Sequence, residues 1–304
     1  MQRFELTILG CGSATPTNKR HPSAQLLNVA ERFFLIDCGE GTQVQLRKYK
    51  LSFRKIDRIL ISHLHGDHYF GLIGLLQSFH LLGRKKKLTV FGPALLKDVI
   101  ELQNKVSETY LNYELEFISV DPKIPQVIFE DEKVCVTAFP LDHRIDCTGF
   151  VFREKLLPRN IIKEKLEQKN ISIAEIHKLK QGFDALDEEG NLVPNAELTT
   201  DPPEPRAYAH CSDTRYNENI IPHIKKVDLL YHESTFLEDM KDRAAKTMHS
   251  TAVQAATIAK MAEAKKLLLG HFSARYTEEE KFLEEALPVF PQTMLASEGK
   301  VFSV

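Results

Sequence analysis

The chain reads as an α/β protein made of two successive sets of strands with helices between them. Three observations lead there. Short apolar or alternating runs of strand length recur along most of the chain, bounded by glycine, proline, asparagine or aspartate. Segments of helical period lie between many of them. Histidines or aspartates stand at strand ends at positions 63–68, 143, 213, 249 and 271. A random spread of 12 histidines has no such preference; a metal site along one edge of packed sheets does.

At 304 residues and 43% apolar content the chain can bury a sizeable core. Its net charge of -2, from 40 basic and 42 acidic residues, neither announces a nucleic-acid binder nor excludes one, because a local patch suffices. Cys11, Cys38, Cys135, Cys147 and Cys211 are odd in number, scattered and free of any C-x-x-C pair. A disulfide framework or a cysteine zinc site is therefore not expected, and a reducing cytoplasm is the expected compartment. The opening residues carry charge and read as a first strand, not a signal peptide. No apolar run approaches the ~20 residues of a membrane span, so no membrane is expected.

Taken in order, Phe4 to Leu9 alternate and end in the tight loop Gly10-Cys11-Gly12-Ser13. The loop from Thr15 to Pro22 carries Lys19 and Arg20, which could hold a phosphate, though a solvated loop is the simpler expectation. Gln25–Val29 and Arg32–Ile36 read as a hairpin ending at Asp37. Asp37 could orient a metal-bound histidine or cap the helix predicted over Thr42–Tyr49, and capping is the expectation. Ile56 to Ile61 reads as a buried strand, and Tyr69 to Leu82 as a buried helix beneath the site. Arg84-Lys85-Lys86-Lys87 is a solvated loop or a contact for a phosphate backbone. A helix over Ala94–Glu108 and strands at 115–120, 126–129, 134–139 and 148–152 follow.

From Arg153 to Arg206 the texture changes to charged, helix-leaning pieces broken by glycine and proline. Its apolar content is too thin for a core, so the expectation is one domain, 1–304, with 153–206 as an inserted arm. Core patterning resumes at Ala207. Asp213 ends that strand, where it could bridge two metals or cap the next helix. Val227–Tyr231 leads to His232-Glu233-Ser234-Thr235; Ser250 is the expected N-cap of a helix to Ala264. Lys266–Gly270 is a strand, Thr277–Ala286 a helix, and strands at 292–296 and 300–304 complete the sheet.

The strongest local signal is His63-Leu64-His65-Gly66-Asp67-His68. His63 and His65 have strand spacing and project to one side. Asp67 and His68 lie at the turn into a helix and can face a second point. Buried imidazoles and a carboxylate without partners are costly, which favours a metal over a histidine-rich turn. His143, again at a strand end, becomes a further ligand candidate.

These residues, with Ser212-Asp213-Thr214, His232-Glu233-Ser234-Thr235, His249-Ser250-Thr251 and His271-Phe272-Ser273-Ala274-Arg275-Tyr276, resemble the ribonuclease Z family of the metallo-β-lactamase superfamily over nearly the whole chain. The His-x-His-x-Asp-His motif alone indicates only the superfamily; the other motifs are more specific. The resemblance implies a four-layer αββα sandwich and a zinc-dependent endoribonuclease. That enzyme removes the 3′ trailer from precursor tRNA by attack of a metal-activated water, leaving a 3′-hydroxyl on the tRNA and a 5′-phosphate on the trailer.

It further implies two zinc ions per subunit. His63, His65 and His143 would hold one, Asp67, His68 and His271 the other, and Asp213 would bridge them. Asp67 would orient or deprotonate water. His249, held by Glu233, would protonate the leaving ribose oxygen. Lys19, Arg20 and Arg275 would contact the RNA, and a homodimer would present the arm to the tRNA. The chain departs from the family pattern at His21, where an asparagine is usual, and in the arm, which lacks an evident Gly/Pro-rich tip. The alternative is a small-molecule ester or phosphodiester hydrolase of the same superfamily, which needs the metals but not Glu233, His249 or the arm.

Overall fold

The computed structural model describes residues 2–304. The first half opens with β1 (Phe4–Gly10), β2 (Ala24–Val29) and β3 (Arg32–Ile36), then α1 (Thr42–Lys48), β4 (Ile56–Leu60), α2 (Gly66–Tyr69) and α3 (Leu72–Leu81). It continues through β5 (Leu88–Gly92), α4 (Leu95–Val106), β6 (Leu115–Ser119), β7 (Gln126–Glu130), β8 (Val134–Leu141) and β9 (Cys147–Glu154). The segment Glu154–Pro205 forms a separate compact unit. It holds the two-residue strands β10 to β13 (Asn160–Ile161, Ala185–Leu186, Leu192–Val193, Thr199–Thr200) and α5 to α7 (Lys163–Gln168, Ile176–Lys180, Asn195–Leu198). Then come β14 (Ala207–Cys211), α8 (Ile221–Ile224), β15 (Leu229–Glu233), α9 (Lys241–Thr247), α10 (Ala252–Met261), β16 (Leu267–Gly270), α11 (Glu280–Ala286), β17 (Thr293–Leu295) and β18 (Val301–Ser303).

Two seven-stranded sheets result, in the orders β18-β1-β2-β3-β4-β5-β6 and β17-β16-β15-β14-β9-β8-β7. The alternation seen in the sequence becomes a choice of layer. Phe4, Leu6 and Ile8 of β1, Phe34 and Ile36 of β3 and Leu60 of β4 turn inward to meet Val136, Phe150, Phe152, Tyr208 and Leu230 of the other sheet. Leu35, Ile59 and Ile61 turn outward, onto Leu46 of α1, Leu72, Leu75 and Leu76 of α3 and Leu96 of α4. Phe34 meets Phe152 edge-on between the sheets, centroids 5.1 Å apart, a contact worth about 0.5–1.5 kcal/mol beyond area burial. Helix α10, packed on β15 and β16, puts Ala252, Ala255, Ala256 and Ala259 into the core. The order is helix, sheet, sheet, helix, as expected.

Four local expectations are corrected. The run from Tyr69 to Leu82 is not one helix: α2 ends at Tyr69 and α3 starts at Leu72, leaving Leu81 and Leu82 exposed. The break falls at Gly71, whose N–H donates to the Cys38 carbonyl. A Cβ there would lie 2.1 Å from the Gly39 carbonyl oxygen, so only glycine admits this approach. The last two strands do not share a sheet, because β17 extends the second and β18 pairs antiparallel with β1 of the first. Thr251, not Ser250, caps α10, in a capping box with Gln254; the Ser250 hydroxyl instead donates to the Thr214 carbonyl. The segment Glu154–Pro205, expected to be too thin for a core, buries Leu166, Leu179, Ala185, Val193 and Leu198 together.

No helix among the described residues is long and apolar enough to cross a membrane.

Candidate metal centre and active site

The parallel strands β4, β15 and β16 end at the same edge as β8 and β14. That is where open α/β sheets place their ligands. His63 and His65 follow β4, His143 follows β8, Asp213 follows β14, Glu233 ends β15 and His271 follows β16.

There the structure brings together all seven candidate ligands, in two groups joined by one carboxylate. The Nδ1 of His65 lies 3.1 Å from Nε2 of both His63 and His143. Asp213 Oδ2 is 3.6 Å from each of those two Nε2 atoms. In the second group, His68 and His271 face each other through Nε2 at 3.3 Å, with Asp67 Oδ2 3.4–3.5 Å from both. Asp213 Oδ1 is 3.3 Å from His68 and 3.2 Å from His271.

The outward nitrogens are anchored. His68 Nδ1 lies 2.7 Å from Asp37, His143 Nδ1 2.9 Å from the Met248 carbonyl, His63 Nδ1 3.0 Å from Ser62 Oγ and His271 Nδ1 2.9 Å from Thr235 Oγ1. A ring that donates through Nδ1 turns an Nε2 lone pair inward. Such lone pairs cannot hydrogen-bond one another, and Asp213 Oδ1, fully buried, has no hydrogen-bond partner. The donor set therefore fits cations.

The electrostatics agree. Burial first, then neighbouring positive character, holds His63 well below the ordinary imidazole range, and burial also lowers His65 and His143. Neutral imidazole is the ligating form. Burial opposes charge on His68 too, yet Asp213, Asp67 and Asp37 outweigh it and raise that ring well above its usual value. Burial likewise opposes ionisation of Asp67 and Asp213, but the histidines around them hold both carboxylates well below their usual range. Asp213, Asp67 and Asp37 thus draw positive charge to His68, while His63, His65 and His143 keep neutral rings.

Beside this cluster, Glu233 Oε1 lies 2.8 Å from Nδ1 of His249. Glu233 is fully buried and also accepts from the Thr235 N–H at 2.9 Å and hydroxyl at 2.8 Å. Burial works against a charged His249; the Glu233 carboxylate overrides it, by charge and hydrogen bond, and lifts the ring to about 9. His249, Asp213 and His271 could be taken as a third ligand group. The His249 nitrogen nearest Asp213, at 3.9 Å, is already committed to Glu233, which argues against that. His249, His65, Asp67, His143 and His271 line one cavity of about 540 Å³.

Other expected contacts go elsewhere. Arg20, expected at the RNA, has a buried side chain that pairs with Glu279 at 2.7 Å and donates to the Tyr276 and Ser273 carbonyls at 2.7 and 3.1 Å. Lys19 and Arg275 are exposed. Arg84 and Lys86 pair with Asp57, and Lys87 with Glu114 and Glu116, so three of the four cations in that run are bound by carboxylates. Asp37 does not cap α1, whose N-cap is Gly41 without a side-chain bond. It accepts instead from the Ser62 N–H at 2.8 Å and hydroxyl at 3.0 Å, and holds His68.

The sequence reading missed Ser62, Thr235 and Arg144. Ser62 adjoins the His63–His68 motif and Thr235 closes the His232–Thr235 motif, and a hydroxyl residue at a motif's edge is the signal for both. The guanidinium of Arg144 lies 3.2 Å from His65 Nε2 on the cavity wall; its position next to His143 was the only hint.

Fold and site together define a metallo-β-lactamase-fold protein whose His/Asp clusters fit a metal site. The metallo-β-lactamase fold protein YhfI of Bacillus subtilis shares the fold at TM-score 0.70 and 22% identity, each chain covered in full. A family model described as Anti-Pycsar protein Apyc1 matches residues 4–158 and places that half of the chain in its family. Matches spanning the whole chain are narrower. Ribonuclease Z of Bacteroides thetaiotaomicron is 45% identical over 304 residues, 100% of this chain and 96% of the relative. Ribonuclease Z of Cytophaga hutchinsonii is 50% identical over 302 residues, 99% and 96% of the two chains. Human tRNase Z, short form, superposes with a TM-score of 0.70 at 29% identity, over 99% of each chain. The chain belongs to the ribonuclease Z family.

Proposed function

We propose that this protein is a metal-dependent endoribonuclease that removes the 3′ trailer from precursor tRNA. The observation that carries the reading is the buried Glu233 carboxylate gripping His249 beside Asp213, in the cavity that holds the ligand cluster. Ester hydrolysis with a good leaving group needs no such pair; expulsion of a ribose oxygen does. The names ribonuclease Z and tRNase Z on full-length relatives support an RNA substrate. The Apyc1 match stops at residue 158, before Asp213, Glu233, His249 and His271.

His63, His65 and His143 would hold one zinc ion, Asp67, His68 and His271 a second, and Asp213 would serve both. When bound, a pair of such ions acidifies water toward neutral pH and neutralises an attacked phosphodiester. Asp67, whose Oδ2 accepts from the Ala14 N–H at 2.7 Å, would orient or deprotonate the attacking water. His249 is kept protonated by Glu233 and gives its proton to the departing ribose 3′-oxygen. The tRNA leaves with a 3′-hydroxyl and the trailer with a 5′-phosphate. Residues 153–206 act as an arm that grips tRNA, and the enzyme works as a cytoplasmic homodimer. Five cysteines without a disulfide partner are consistent with that compartment.

The test is to assay the purified protein for metal, incubate it with end-labelled precursor tRNA and map both product ends. A single cut at the base of the trailer with those end groups is expected. Intact precursor alongside turnover of small esters overturns the reading.

A further inference from the structure

One large apolar side chain in the catalytic cavity takes no part in the chemistry described. Phe70 is 64% exposed although it lies one residue past α2 and lines the cavity with Asp67, His143 and His249. An exposed phenylalanine is ordinary on a protein surface. This one is braced. Its ring edge, Cδ2, Cε2 and Cζ, lies so close to Gly66 that a Cβ there would sit 2.2–2.7 Å from those atoms. Tyr69 packs edge-on to it with centroids 5.1 Å apart. The ring is thus held by the backbone between His65 and Asp67, while most of its surface stays open.

We propose that Phe70 is the platform on which a base flanking the scissile phosphate stacks; the proposal rests on the RNA-cleaving function given above. A phosphodiester placed between the ligand cluster and His249 carries a base on each side. An aromatic ring fixed to the ligand-bearing turn can hold one of them, setting the phosphate in register with His249. Stacking is tolerant of sequence because every base has a π face.

The experiment is a cycle between protein and substrate. Wild type, Phe70→Leu and Phe70→Trp are compared on precursor tRNA, either intact or abasic at the nucleotide 5′ or 3′ of the cut. On intact substrate, Phe70→Leu is expected to lower kcat/KM by about 5- to 150-fold, and Phe70→Trp to restore it. On one of the abasic substrates, wild type and Phe70→Leu should be equally slow. Equal losses for Phe70→Leu on intact and both abasic substrates overturn the proposal, as does no loss on intact RNA. Failure of wild type to cut intact precursor overturns the function itself, and with it this role.

Discussion

Glu233 and His249 form a 2.8 Å contact between a fully buried carboxylate and a ring at the cavity wall. His249→Ala should keep its metal and slow cleavage by roughly 10²–10⁴-fold, the range for loss of a general acid. Metal analysis beside single-turnover kinetics checks this; a wild-type rate removes His249 from the mechanism.

The same pair fixes a pH dependence. His249 is raised to about 9, so its proton is present at neutral pH and lost as pH rises through that value. Glu233 is the largest raising influence on it. Glu233→Gln should therefore move the alkaline limb of the kcat profile to lower pH. An unmoved limb assigns that limb to another group.

Asp213 spans the two ligand groups, one oxygen toward each. His65 belongs to one group only. His65→Ala should lower metal content and abolish cleavage, whereas Asp213→Ala should weaken both sites. Metal stoichiometry by mass spectrometry separates the two; equal retention in both variants contradicts the bridging role.

Asp37 holds His68 and ties the Ser62 backbone beneath it. Asp37→Ala should cost about 10- to 100-fold in metal affinity, as is usual when the partner of a ligating histidine is removed. Competition with a chelator measures it, and unchanged affinity makes Asp37 a packing residue.

Arg20 and Lys19 are neighbours with opposite expectations. Arg20→Ala removes a buried guanidinium that pairs with the partly exposed Glu279 and donates to two carbonyls; it should destabilise by about 1–3 kcal/mol, read as a lowered Tm. Lys19→Ala should leave Tm unchanged and raise KM for precursor tRNA. Deletion of residues 155–204 should also weaken tRNA binding while sparing a small phosphodiester; equal loss on both substrates makes that segment a support for the core.

Local patterning made the strand-and-helix order readable, because alternation at β1 and β3 reflects which side chains face the inner core. It also marked the His63–His68 cluster, His143, Asp213 and His271, since a strand end aims its side chains at one place. Polar partners were harder to read. Asp37 lies close in sequence to the α1 start, yet its partner Ser62 is 25 residues away. Arg20 looks available on a cationic loop, yet Glu279 is 259 residues away.

The sequence by itself determined the α/β class and the histidines and aspartates at strand ends, because residue type and short-range spacing carry that information; the grouping of the ligands and the Glu233–His249 pair, 16 residues apart, came from its resemblance to a known family. Only the tertiary structure decided that Asp213 turns one oxygen to each ligand group, that Asp37 serves His68 and not a helix end, and that β17 and β18 part to different sheets. The reason is physical. Burying a polar group demands a partner, and which partner arrives is set by segments that meet only when the two sheets close on each other.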